Sequence, residues 1–96
     1  MAIVRLIARA EAREGKAKEL KALLSKMIMP TRVEPGCRYY ELFESNTPGV
    51  FFFNELWNSE ADLKAHSKSA HYIEHIGKAK ELLKSPFEVH ILQEVE

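Results

Sequence analysis

The stretch Asn54-Glu55-Leu56-Trp57-Asn58-Ser59-Glu60-Ala61-Asp62-Leu63-Lys64-Ala65-His66 sets a carboxylate, an indole and an imidazole across the junction of an apolar strand and a capped helix. Together these side chains could move a proton on a flat organic molecule. An imidazole with an ordinary pKa of about 6.5 accepts a proton at neutral pH. A carboxylate on the same side of a buried strand can have its pKa raised until it, too, is a usable base. Trp57 and Phe53 would wall the site, and the Phe51-Phe52-Phe53 run supplies the apolar surroundings that small-molecule sites share. His66 and Glu55 are thus the candidate catalytic groups, with Trp57 and Phe53 as candidate substrate contacts.

Each residue also has a plain structural role open to it. His66 lies three positions after Leu63 and four before Ala70, which turns it toward the sheet, where it could simply tie helix to strand. Glu55 alternates with Phe53 and Trp57 and therefore shares their side of the strand. An ion pair with Arg5, Arg9 or Arg38 would satisfy it. Aromatic residues on a buried strand are commonly core.

Other motifs carry less. His71-Tyr72-Ile73-Glu74-His75 matches the H-x-x-E-H pattern, but catalytic zinc needs a third protein ligand and an enclosing cleft, and only twenty-one residues follow. No metal site is expected, although His71 and His75 could capture Ni or Zn adventitiously. Cys37 follows a Pro-Gly turn without an evident His partner and reads as a small hydrophobe. No glycine-rich phosphate loop is present, so no nucleotide or flavin cofactor is expected.

The elements that must position these groups follow from hydrophobic period. The first eleven residues read as a strand, and Ala17, Leu20, Leu23, Leu24, Met27 and Ile28 mark one helix face over about 16–33, with a kink expected at Pro30 and a stop at Pro35-Gly36. Cys37 to Glu44 and Val50 to Trp57 form a hairpin around Ser45-Asn46-Thr47-Pro48-Gly49. Ser59 caps a second helix, with Asp62 as a short capping-box acid; a bend is expected near Ser69 and a stop at Pro86, before a last strand from Phe87 to Val95. The order β-α-β-β-α-β predicts an α+β, ferredoxin-like fold: a four-stranded antiparallel sheet with two helices on one face.

That arrangement leaves one sheet face bare. Phe51, Phe53 and Trp57 point one way while Phe52 and Leu56 point the other, and a strand apolar on both sides is usually buried on both. A second copy stacking sheet to sheet would cover the remainder, so a two-fold homodimer is expected. A one-residue register slip would transfer Glu55 and Trp57 to that interface.

Ninety-six residues make one domain, 1–96. Lys plus Arg number 14, as do Asp plus Glu, and neither sign forms a block, which argues against nucleic acid and anionic membrane surfaces. No apolar run reaches the length of a membrane span. With a single cysteine and no leader-like start, a cytoplasmic location is the expectation.

Glu34-Pro35-Gly36-Cys37 with Tyr40-Glu41-Leu42, followed by Glu55-Leu56-Trp57-Asn58-Ser59 with Leu63, Ala65-His66, Ser69 and His71, resembles the antibiotic biosynthesis monooxygenase family of dimeric α+β barrels over nearly the whole chain. The resemblance implies one of several chemistries: cofactor-free oxidation of hydroquinones or phenols by O2, isomerisation of a phosphorylated quorum-signal sugar derivative, or haem degradation. It also adds Tyr40 and His71 as substrate-contact candidates. The polyketide-oxidising members carry an Asn four residues before the Trp and a Tyr six after it; Phe53 and Leu63 stand there instead. Ala8, His66 and Ile76 occupy the positions of the haem-degrading Asn, Trp and His, which argues against haem degradation. The expectation is a cofactor-independent monooxygenase acting on a hydroquinone or related enolisable compound. The alternatives are an isomerase of a phosphorylated carbonyl compound, for which Arg5, Arg9, Lys64 and Lys68 are available cations, and a non-catalytic binding protein.

Overall fold

The computed structural model describes residues 3–95. Four strands, β1 (Val4–Glu11), β2 (Cys37–Glu44), β3 (Val50–Trp57) and β4 (Glu88–Leu92), form one antiparallel sheet in the order β2-β3-β1-β4. Helices α1 (Ala17–Ser25), α2 (Ile28–Arg32) and α3 (Glu60–Ser67) join them, and the chain after α3 continues through a π-helical turn, Tyr72–Ile76, and two short helical segments ending at Leu82. This is the expected βαββαβ, ferredoxin-like architecture.

Register decides which side chains meet. Val4 pairs with Trp57, Leu6 with Glu55 and Ala8 with Phe53; on the other flank of β3, Tyr40 pairs with Glu55 and Leu42 with Phe53. Strand side chains alternate with period two. Phe51, Phe53, Glu55 and Trp57 therefore share the helix-covered face with Val4, Leu6, Ala8 and Tyr40. Leu20 and Leu24 of α1, Met27 after it, Ile76 and Ala79 of the C-terminal helical run, and Leu83 just after that run complete the core cluster on this face. Phe52 and Leu56 lie on the opposite face, as alternation predicts.

Three expected boundaries shift. The first helix is broken at Lys26-Met27, upstream of the predicted kink at Pro30. A proline ring collides with the carbonyl four residues earlier, here Lys26, and Pro30 instead occupies the first turn of α2, where its missing N–H costs nothing. The second helical run ends at Leu82 rather than Pro86, because Lys84 N–H donates to the Glu11 carbonyl at 2.8 Å and Arg13 N–H to the Leu82 carbonyl at 2.8 Å. Leu83 accordingly bridges to Ala12 in extended conformation. The last strand stops at Leu92, short of Val95, because Leu92 already faces Arg5 and almost no β1 remains to pair with.

Ser59 caps α3 as expected, its hydroxyl accepting the Asp62 N–H at 3.2 Å and donating to Asp62 Oδ2 at 2.9 Å. The bend near Ser69 is present: Ser69 Oγ donates to the His66 carbonyl at 2.7 Å, and the π-helical turn follows. Gly36 locks the preceding loop to this cap. Its φ is +84°, and a Cβ there would collide with the Asp62 carboxyl carbon. The Gly36 carbonyl also accepts the Asn58 N–H at 2.8 Å. The loop bearing Glu34 is thereby held against the start of α3.

Candidate active site

Under α3, a cavity of about 670 Å³ opens between the sheet and the C-terminal helical run. Val4, Leu6, Ala8, Phe53, Ile76 and Phe87 give it an apolar floor and wall, while Tyr40, Tyr72, Glu55 and His66 contribute polar atoms. Val89 and Ile91 of β4, each more than half exposed, line its open side. A few converging polar groups in an apolar cavity of this size suit a small organic molecule.

Glu55 reaches the cavity from the centre of the sheet and is 5% exposed. It has no cationic partner among the described residues: Arg5 donates to Asn54, Arg9 pairs with Glu11, and Arg38 donates to Asn58. The Trp57 indole N–H, 3.0 Å from Oε1, is its hydrogen-bond donor. Burial pushes the Glu55 carboxyl up to about 7, opposed by the Trp57 hydrogen bond and helped by the negative charge of Glu34. Burial and the Glu55 charge together also raise the Tyr40 and Tyr72 phenols above their ordinary value, so both are neutral donors at physiological pH.

His66 is 2% exposed and packed among aromatic rings, with centroids 4.7 Å from Trp57, 5.1 Å from Tyr72 and 5.5 Å from Tyr40. Its Nδ1 lies 2.8 Å from Glu34 Oε2. A carboxylate only accepts, so Nδ1 carries the proton and Nε2 keeps its lone pair. Nε2 has no hydrogen-bond partner among the described residues, and the ring lines the cavity. Burial lowers the His66 pKa, against the opposing effect of the Glu34 hydrogen bond and charge, and the ring is neutral at pH 7. His71 Nε2 donates to the same Glu34 oxygen at 2.7 Å and lies 3.2 Å from Ser69 Oγ.

His66, Glu55, Phe53 and Tyr40 thus line one cavity. Trp57, fully buried, stands behind Glu55 and His66 and does not line it; His71 joins the site through Glu34. Glu34 itself was not foreseen as a site residue. In the sequence it opens the motif Glu34-Pro35-Gly36-Cys37 but shows no role, since the contact spans 32 residues and depends on how that turn docks on α3. Cys37 is partly buried, and burial with the charge of Glu34 pushes its thiol up to about 11, so it is no nucleophile at neutral pH.

The sequence profile of the antibiotic biosynthesis monooxygenase family matches residues 3–78, which run from β1 through the π-helical turn and include Glu34, Tyr40, Phe53, Glu55, His66 and Tyr72. The chain belongs to that family. It is 40% identical over 89 residues, 93% of its length and 88% of the other's, to a Mycobacterium tuberculosis protein named "Putative monooxygenase Rv0793". The solved structure of Rv0793 superposes with a TM-score of 0.93, covering 99% of this chain and 97% of that one at 38% identity. PA3566 from Pseudomonas aeruginosa superposes with a TM-score of 0.92, 26% identity and coverage of 100% and 97%. Membership of the family makes a monooxygenase the coarse assignment, with a small molecule and O2 as the reactants the family name implies.

Proposed function

We propose that this family member is a cofactor-independent monooxygenase that oxidises a hydroquinone or related enolisable phenol with O2. The observation that carries the reading is the Glu34-oriented His66, neutral at pH 7 with a free Nε2, on the wall of an apolar cavity. His66 removes the hydroxyl proton of the bound substrate, and Glu34 steadies the imidazolium that forms. The substrate anion passes one electron to O2, the radical pair recombines into a C–O bond, and the peroxide collapses to a quinone-type product. One oxygen atom stays on carbon and the other leaves as water; the electrons come from the substrate. Tyr40 and Tyr72 donate to developing oxyanions, Phe53 stacks on the ring, and Glu55 is the second acid–base group.

The isomerase alternative asks for cations around a phosphate. Of Arg5, Arg9, Lys64 and Lys68, Lys64 lines the cavity, and Glu60 lines it too; Arg5 and Arg9 sit on the opposite sheet face in other bonds. A neutral aromatic substrate fits that charge balance better.

The same reading includes a homodimer stacked through the outer face. There, the chain Arg5–Asn54–Glu41 (2.9 and 3.0 Å) runs among Ile7, Phe52 and Leu56, while Tyr39, Phe43 and Leu92 are 44–51% exposed. An apolar area of this kind is what a stacked partner sheet covers. The test of the reaction is oxygen uptake by chelator-treated protein over a panel of hydroquinones and polycyclic phenols, with autoxidation subtracted. Uptake abolished in His66→Ala is the expected result; full uptake in that variant removes His66 as the base. Sedimentation equilibrium decides the dimer.

A further inference from the structure

Glu34, His66 and His71 converge from three separate places in the chain: the loop before β2, the last turn of α3 and the bend after it. One oxygen of Glu34 and one nitrogen of each imidazole all lie within 4.8 Å of one another, and Glu34 Oε2 is 2.8 and 2.7 Å from the two nitrogens. The side chains are 13%, 3% and 19% exposed, so the cluster is sheltered yet reachable past His71. No Lys or Arg pairs with Glu34 among the described residues. The cluster therefore sets one carboxylate beside two imidazoles, a donor set that attracts a divalent cation.

We propose that Glu34, His66 Nδ1 and His71 Nε2 form a binding site for a divalent transition metal of the zinc type. Two imidazoles and one carboxylate are a recurrent zinc and iron(II) donor set that leaves coordination positions open. Ligand bonds of about 2.0–2.2 Å place neighbouring donors of a tetrahedral ion roughly 3.3 Å apart. The N···O distances must open by about half an ångström from their hydrogen-bonded values, and the two nitrogens must draw together. In the apoprotein two N–H protons occupy the space the ion would take. The histidine pattern His71-x-x-Glu74-His75 is a different constellation: Glu74 pairs with Lys78 at 3.8 Å on the surface, and the partner of His71 is Glu34.

Coordination at His66 Nδ1 moves the ring proton to Nε2, because a neutral ligated imidazole keeps its one proton on the other nitrogen. The nitrogen facing the cavity is then a donor and no longer a base. On the oxidation reading above, the metal is an inhibitor that competes with the hydrogen-bonded apo cluster; binding itself does not depend on that reading.

The test titrates untagged, chelator-stripped protein with Co2+ and follows the visible d–d bands, with Zn2+ as competitor. Expected are an intense four- or five-coordinate spectrum at one ion per chain, displacement by Zn2+, and at least about 100-fold weaker binding in His71→Ala and Glu34→Ala. His75→Ala should bind like the parent, and far-UV circular dichroism checks that each variant is folded. His71 is partly exposed and lies outside the hydrophobic core, so that variant stands if Glu34→Ala fails to fold. A weak octahedral spectrum, or binding kept in His71→Ala and lost in His75→Ala, overturns the proposal in favour of adventitious surface capture. Oxygen uptake measured separately with and without Zn2+ tests inhibition, so failure of the oxidation reading leaves the spectral result intact.

Discussion

Replacing Glu55 by Gln should remove a pH dependence of stability that the burial of this carboxyl creates. Gln keeps the size of the side chain and an oxygen to accept the Trp57 N–H, so the packing is preserved. Glu55 is raised from 4.5 to about 7 in the folded protein. Between those values the folded state holds a proton that the unfolded state has released, and stability therefore falls as pH rises. The contribution is fully present below 4.5 and is lost as pH passes through about 7. At about 1.4 kcal/mol per pH unit, the interval corresponds to a loss on the order of 3 kcal/mol. Little solvent screening reduces this, because the residue is 5% exposed. His66, whose folded pKa is lowered, contributes the opposite slope, with stability present above about 6.5 and lost at acid pH. That slope is common to both proteins and cancels in the difference. Urea unfolding of parent and Glu55→Gln at fixed protein concentration, from pH 4.5 to 8.5, should show nearly equal stability at the acid end. At the alkaline end the variant should be the more stable by about 3 kcal/mol. A difference that stays constant across the range refutes the account of Glu55 as a buried, partnerless carboxyl.

Trp57→Phe removes the one donor that holds the Glu55 pKa down, so its titration, followed by the same unfolding series, should move to higher pH. Glu34→Gln removes the charge that steadies His66; a charge-assisted hydrogen bond of about 1.5–3 kcal/mol predicts kcat for oxygen uptake about 10- to 100-fold lower. The His66 tautomer read by nitrogen-15 NMR should change with it, whereas an unchanged tautomer and kcat would show that Glu34 does not orient the ring. Gly36→Ala forces a side chain into the left-handed region and against the Asp62 carboxyl, which should destabilise the fold by about 2–3 kcal/mol in urea unfolding.

Hydrophobic period was enough to place β3 and to put Phe53, Glu55 and Trp57 on one side of it, but alternation leaves two choices of sheet face, and only the packing of the helices selects the inner one. The inward turn of His66 was legible for a similar reason, from its spacing to Leu63. The role of Trp57 was not. Alternation says which way an indole points, but not that its N–H is taken up by the carboxylate two residues earlier. Glu34 was less legible still: it sits in a polar loop without periodicity, and its meeting with His66 and His71 is a product of tertiary packing, fixed by Gly36 against α3. The break at Lys26-Met27 was written in Pro30, but four residues away from where the break falls.

The π-helical turn at Tyr72–Ile76 bears on how this scaffold changes over evolution. Such a turn holds one residue more than an α-helical turn, so it is what a single-codon insertion into a continuous helix leaves behind. Here the extra residue lets Tyr72 face the cavity while Ile76 and Ala79 keep their places in the core. Deleting one residue there would restore regular winding and leave the flanking helix facing the same way, because the turn absorbs the roughly 100° that one extra residue would otherwise add around the helix axis. The turn is thus a length-adjustable joint. Relatives that differ there by one residue would present a different side chain to the substrate over an unchanged sheet, and new substrate preferences would be sought first at that joint.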